Sequence, residues 1–334
     1  MKKQPTINLI IYLTLSTFFL YFSYINNYLI KVFPHSSFIF PLLIGLLIIL
    51  LTILIPIKHI NVNNTSIIKN VFLSLYYIVF NSILLTNTCN ILIYYFYPNI
   101  SFLLLSILLI LIIFLFALFQ TKQLFDVSLL IYIIIIMSNF VIIFNTSIPN
   151  FNILYNIKNT FQLKFDFILF IPLLFMLLEP LCLMINCSKE NVLNIKKTII
   201  LSTLISSVLA TIFIFLNYLF YNSTYLTQLS FPSFAFLTSF LGPEFLDHFQ
   251  IIILPSTLAY SLLKISLNVS LVSSNFDKPK VIILVNSILI FIITNIMYRY
   301  TSSKSFIILF LILLLNFIPL IFNKKEGYHE TSPT

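Results

Sequence analysis

The 334-residue chain has no tryptophan, three glycines, three cysteines and a single arginine, Arg299. Charged residues make up only 8% of it, against about 25% in a soluble domain. Each scarcity excludes something. Without charge, and with 60% hydrophobic residues and a mean hydropathy of +1.07, no single core of this length could hide the apolar surface from water. With one arginine, the net charge of +9 is carried by lysines scattered between apolar runs, so nucleic acid is not a partner. Cys89, Cys182 and Cys187 lie in or beside apolar runs with no CxxC spacing, and read as small hydrophobes rather than disulfides or metal ligands. Nothing in the pattern calls for a cofactor. The absence of tryptophan leaves interfacial anchoring to tyrosine.

What remains is lipid-soluble helix. Crossing the hydrocarbon takes about 20 apolar residues. Runs of that kind fall at 7–25, 36–57, 70–97, 101–119, 124–144, 165–186, 196–221, 247–275, 279–299 and 304–322, which predicts ten spans in one all-α integral membrane domain. The third and fourth are divided by Tyr97-Pro98-Asn99, read as a tight hairpin because proline removes a backbone donor. With the N-terminus inside, inner segments hold 12 basic residues and outer segments 5, with Lys264 left within a span. Both termini are therefore expected to be cytoplasmic. The two long connections, 145–164 and 222–246, fall outside, and a short interfacial helix is expected at 233–241 with Ser233 as its N-cap. No loop is large enough to fold alone.

Two charges break the pattern. Glu179 and Lys264 sit deep in the sixth and eighth runs, where a charge costs roughly 2.5–3.5 kcal/mol and so faces a bundle interior or a wet cavity. The eighth run places Thr257, Ser261, Lys264, Asn268 and Asn275 on one helical stripe, with Pro255 two residues before it. Pro172 and Pro180 in the sixth run suggest a bent or broken helix, as at transporter binding sites. Two readings stay open: Glu179 and Lys264 bound a polar pocket, or they pair and merely tie two helices together. Ser74, Tyr77, Asn81 and Thr88 share a face of the third run and read as packing. Asn26 and Asn27 either interrupt the first run or mark its outer end. Glu244, Asp247 and His248 form the one loop cluster with a catalytic look, but solvated loop charges are the commoner explanation.

Phe231-Pro232-Ser233-Phe234-Ala235-Phe236-Leu237, then Phe245-Leu246-Asp247-His248-Phe249-Gln250 and the polar eighth run, resemble the spore germination permeases. These are the membrane-embedded B subunits of germinant receptors, within the amino acid–polyamine–organocation transporter superfamily. Glu179 is similar to a glutamate of that family's sixth span, followed by the lysine-bearing inner loop 188–197. Motif-level likeness is confined to 165–275, while the ten-span layout matches along the chain. The resemblance implies an inverted-repeat (5+5) bundle in the spore inner membrane and no enzymatic activity. It also implies a small nutrient ligand such as an amino acid, a soluble-domain A-type subunit and a lipoprotein C-type subunit as partners. Thr257, Ser261, Lys264, Asn268, Glu179, Asn26 and Asn27 are its candidate ligand-binding residues. The chain departs from the family in the first span, where Tyr24-Ile25-Asn26-Asn27 stands in place of a glycine-containing unwound segment. A free-standing amino acid or small-solute transporter is the second reading. A polytopic cell-envelope enzyme is the third, disfavoured because one arginine and nine acids supply neither phosphate clamp nor metal cluster.

Overall fold

The computed structural model describes residues 13–14, 16–21, 25–33, 37–54, 67–119, 123–124, 126–127, 130–131, 179–180, 192–221, 223–233, 235 and 249–300. Among these, helices are the only regular structure. In chain order they are α1 (Asn26–Val32), α2 (Phe40–Leu54), α3 (Ile67–Tyr95), α4 (Phe102–Ala117), α5 (Val192–Phe220), α6 (Ser223–Gln228), α7 (Phe249–Ser273) and α8 (Pro279–Tyr300). Residues 16–20 are also helical.

Apolar composition, not amphipathic patterning, makes these helices. Leu104, Leu108, Leu111 and Leu115 of α4 are exposed, as are Leu46, Leu50 and Ile53 of α2 and Leu284, Ile288, Ile292 and Ile296 of α8. Exposed leucine and isoleucine stacked at helical spacing over several turns suit hydrocarbon, not water. Leu73–Tyr95, Lys196–Tyr218 and Pro279–Arg299 are each long and apolar enough to cross a membrane. The chain is a helical membrane protein.

The inward faces are knit by small and polar side chains. Helices α3, α4, α7 and α8 pack against one another, α2 packs on α5, and α6 rests on α1 and α5. Where lipid and core are equally apolar, close approach and interhelical hydrogen bonds drive association. Gly45 permits a close approach between α2 and α5: a Cβ placed on it would lie 2.7 Å from the Cβ and Oγ of Ser207. Ser74 of α3 donates to Asn286 of α8 (3.0 Å), Asn295 of α8 donates to Ser106 of α4 (3.3 Å), and Phe102 stacks on Tyr298 at 3.7 Å. The Ser74 contact bears out the packing role expected for that face of the third run.

Several boundaries follow the sequence closely. The 97–99 hairpin is closed by the Ile100 amide on the Tyr97 carbonyl (3.1 Å), and Ser101 caps α4 by accepting from the Leu104 amide. Helix α7 continues through Pro255, which lies on an exposed side.

Two expectations need correction. The first run does not end at residue 25: the backbone widens to π-helical geometry at Tyr21 and Ile25, then α1 carries the chain on to Val32. Asn26 is buried, so this position, left open between an interruption and an outer end, lies inside the bundle. The second concerns Ser233. The helical turn begins earlier, at Pro232, with the Ala235 amide bonded to the Phe231 carbonyl (2.9 Å). Proline suits a first helical position because its fixed φ and missing N–H cost nothing there. The Ser233 hydroxyl instead accepts a hydrogen bond from Asn26 Nδ2. The 145–164 loop, the tenth run and most of the fifth and sixth lie outside the described residues.

Candidate functional site

Helix α7 builds the site because its polar residues recur at helical spacing and all but the last turn inward. Thr257, Ser261, Lys264 and Asn268 are buried, whereas Asn275, beyond the helix, is exposed. The partner surface is the polar face of α3. Thr88 donates to the Ser261 hydroxyl (3.0 Å), which in turn donates to the Leu258 carbonyl (2.8 Å). One turn beyond Lys264, Asn268 Nδ2 donates to Asn81 Oδ1 (3.0 Å). The stripe on α7 and the stripe on α3 are thus two halves of one polar seam. That Asn81 and Thr88 belong to the site, not only to packing, was not foreseen. Each partner looks ordinary until the other helix is beside it.

Lys264 sits between these two contacts, with 0% of its surface exposed, and Glu179 retains only 2%. The ammonium donates to Glu179 Oε2 at 2.7 Å, to Ser16 Oγ at 2.5 Å and, at longer range, to the Ser16 carbonyl at 3.4 Å. Its three donors therefore each have an oxygen acceptor. The Phe80 ring lies 5.4 Å from Nζ, within reach of a cation–π contact. Three segments distant in sequence meet at one nitrogen: the first run through Ser16, the sixth through Glu179 and the eighth through Lys264.

The two charges thus touch directly. A small cavity lies toward the N-terminal end of α7, its wall made half of Thr257, Ser261, Thr88 and Asn87 and half of apolar side chains, Phe19 among them. At about 10 Å³ it is at the threshold for a single water. Among the described residues, then, the upper part of the stripe lines a small void with a mixed polar and apolar wall, and Lys264 lies one turn beneath it. Phe19 also meets Tyr260 edge-on (centroids 4.7 Å apart), placing aromatic rings between the first run and α7.

A second, larger recess opens beyond this one. It has a volume of about 460 Å³ and lies between the C-terminal parts of α1 and α3 and the segment after α6. Tyr28, Lys31, Asn90 and Phe231 line it, and Asn87 lines both recess and inner cavity. Asn26 stands close by in sequence, holding Ser233 through its amide nitrogen while its Oδ1 is buried without a partner among the described residues. For Asn27 the backbone lies in α1, but its side chain lies outside the described residues, as do Glu244, Asp247 and most of the Glu179 span.

Of the candidate ligand-binding residues, then, Thr257, Ser261, Lys264, Asn268 and Glu179 belong to one polar seam, and Asn26 to a separate joint with Ser233 of the 222–246 connection. Ser16, Phe80 and Asn87 went unnoticed in the sequence. A serine or an asparagine near a span end is common, and only the fold shows which of them faces a charge or a cavity. No protein-family model matches this chain, and no curated protein resembles it at a significant level.

Proposed function

We propose that the chain is the membrane-embedded subunit of a spore germinant receptor, sensing a small nutrient such as an amino acid and passing the signal to partner subunits. The observation that carries this reading is the buried joint at Lys264. One ammonium joins Ser16, Glu179 and α7 beneath a small cavity with Thr257, Ser261, Thr88 and Asn87 in its wall, so any ligand that rearranges the cavity acts on three segments together. A ligand shifts such a joint only through different affinities for its two arrangements. A fully buried ion pair suits that role, because alternative pairings in low dielectric are discrete and not continuous.

The helix packing supports a transporter-like plan of two five-span halves. Numbering the ten expected spans, α2 and α5 are the second and seventh, α3 and α7 the third and eighth, and α4 and α8 the fourth and ninth. Each of these pairs is in contact, and each is separated by five spans. Five is odd, so the paired spans cross in opposite directions, which is the relation between inverted repeats. The π geometry at Tyr21 and Ile25 stands where the family resemblance calls for an unwound first span. A widened turn can replace glycine in loosening a helix.

The test is germination of spores carrying single variants, measured against a panel of nutrients. Glu179→Gln and Lys264→Ala are expected to abolish or strongly blunt the response while the protein remains inserted. Lys197→Ala, at an exposed position of α5, is the control and should respond normally. A normal response from both seam variants removes the basis of the proposal. Saturable uptake of labelled amino acid by vesicles holding this chain alone would favour the transporter reading instead.

A further inference from the structure

We infer that the outer recess between α1, α3 and the segment following α6 is a ligand site in its own right, selective for small carboxylates that carry an apolar or aromatic body. This inference does not depend on the receptor reading or on the Lys264 joint, although the recess shares Asn87 with the inner cavity.

Among the described residues its lining supplies a cation and no acid. Lys31 is the charged group of the lining, in the last turn of α1, and among the described residues it forms no ion pair. On its other side α3 presents Asn90, able to donate through its carboxamide, with Asn87 three residues away on the same face. An anionic oxygen near Lys31 would therefore meet a charge-assisted donor and a neutral amide donor from a second helix. The opposite wall is aromatic and apolar. Phe231 packs edge-on against Tyr94 (centroids 5.7 Å apart) and leans on Tyr95 (6.2 Å), with Ile93 and Tyr28 completing the surface. The volume of about 460 Å³ is within the range of small-molecule sites and exceeds what a simple ion would fill. With no acidic partner among the described residues, the recess discriminates by the ligand's anionic end, and its rings accept the ligand's body.

The lack of tryptophan in this chain makes the recess directly observable. Phe231→Trp places a sole indole in the wall, and its emission can be followed in phosphatidylcholine liposomes while phenylacetate or phenylacetamide is added. These probes share shape and differ in charge. The expected result is a saturable emission change with phenylacetate and binding roughly tenfold or more weaker for phenylacetamide, the ratio expected of a hydrogen bond to a charged group. Lys31→Gln should erase the difference between the probes, and Lys31→Arg should keep it. Calorimetry on the chain with Phe231 intact should give the same ratio, which excludes an effect of the reporter. Equal affinity for the two probes, or discrimination that survives Lys31→Gln, overturns the inference. So does loss of phenylacetate binding on changing the lipid to phosphatidylglycerol, which would assign the recess to a lipid headgroup. Glu179→Gln should leave the probe ratio unchanged, so a failure here is distinguishable from a failure of the germination test.

Discussion

Removing one member of the Lys264–Glu179 pair should be far more damaging than removing both. Either single change strands a charge that has 0% or 2% exposure, with lipid rather than water beyond the bundle. Stranding one partner of a buried pair costs about 3–5 kcal/mol, whereas exchanging both for apolar side chains of similar volume is often neutral. At roughly 2 °C per kcal/mol for a chain of this size, Lys264→Met or Glu179→Met alone should lower the melting temperature by about 6–10 °C in mild detergent. The double variant should come within about 2 °C of the parent, a coupling near the sum of the two single losses. The same three proteins separate the two roles open to the pair. A mere tie between helices predicts that the double variant regains both stability and nutrient response. A joint that reports ligand binding predicts recovered stability without recovered response. Strictly additive losses, or single losses below about 1 kcal/mol, would refute the claim that the charges depend on each other.

Two further outcomes follow from the helix contacts. Gly45→Ala drives a methyl to 2.7 Å from the Ser207 side chain, and overpacking of this kind costs about 1–3 kcal/mol. Combining it with Ser207→Gly should restore most of the lost thermal stability, and a double variant less stable than Gly45→Ala alone would argue against contact at that point. Asn268→Leu leaves Asn81, whose Nδ2 has no partner among the described residues, without its Oδ1 bond to Asn268. It should cost about 1–3 kcal/mol, and Asn81→Leu in addition should recover part of that, as read from thermal unfolding.

How much of this was legible in the sequence depends on the range of the interaction. Helix α3 and the 97–99 hairpin were readable because apolar length and proline act locally. Lys264 and Glu179 were readable as a pair of anomalies, since depth in lipid is itself a local property of a run. Their third partner was not: Ser16 lies 248 residues from Lys264, and a serine gives no outward sign of facing an ammonium. The same holds for Asn26, whose partner Ser233 is 207 residues away. Two asparagines followed by a lysine resemble a helix end, and that local signal lost to a tertiary contact. The third run's polar face was rightly assigned to packing at Ser74. Its deeper residues gain another role only because α7 presents hydroxyl and carboxamide groups at matching heights.

The joint at Lys264 also constrains how the chain is assembled. Glu179 emerges from the ribosome 85 residues before the lysine that neutralises it. At about 5–20 residues per second, it spends roughly 4–17 s in or beside the bilayer with its counter-ion still unsynthesised. The sixth run therefore cannot take its final seat when it is made. Insertion has to leave a gap in the half-built bundle, and the arrival of α7 closes it.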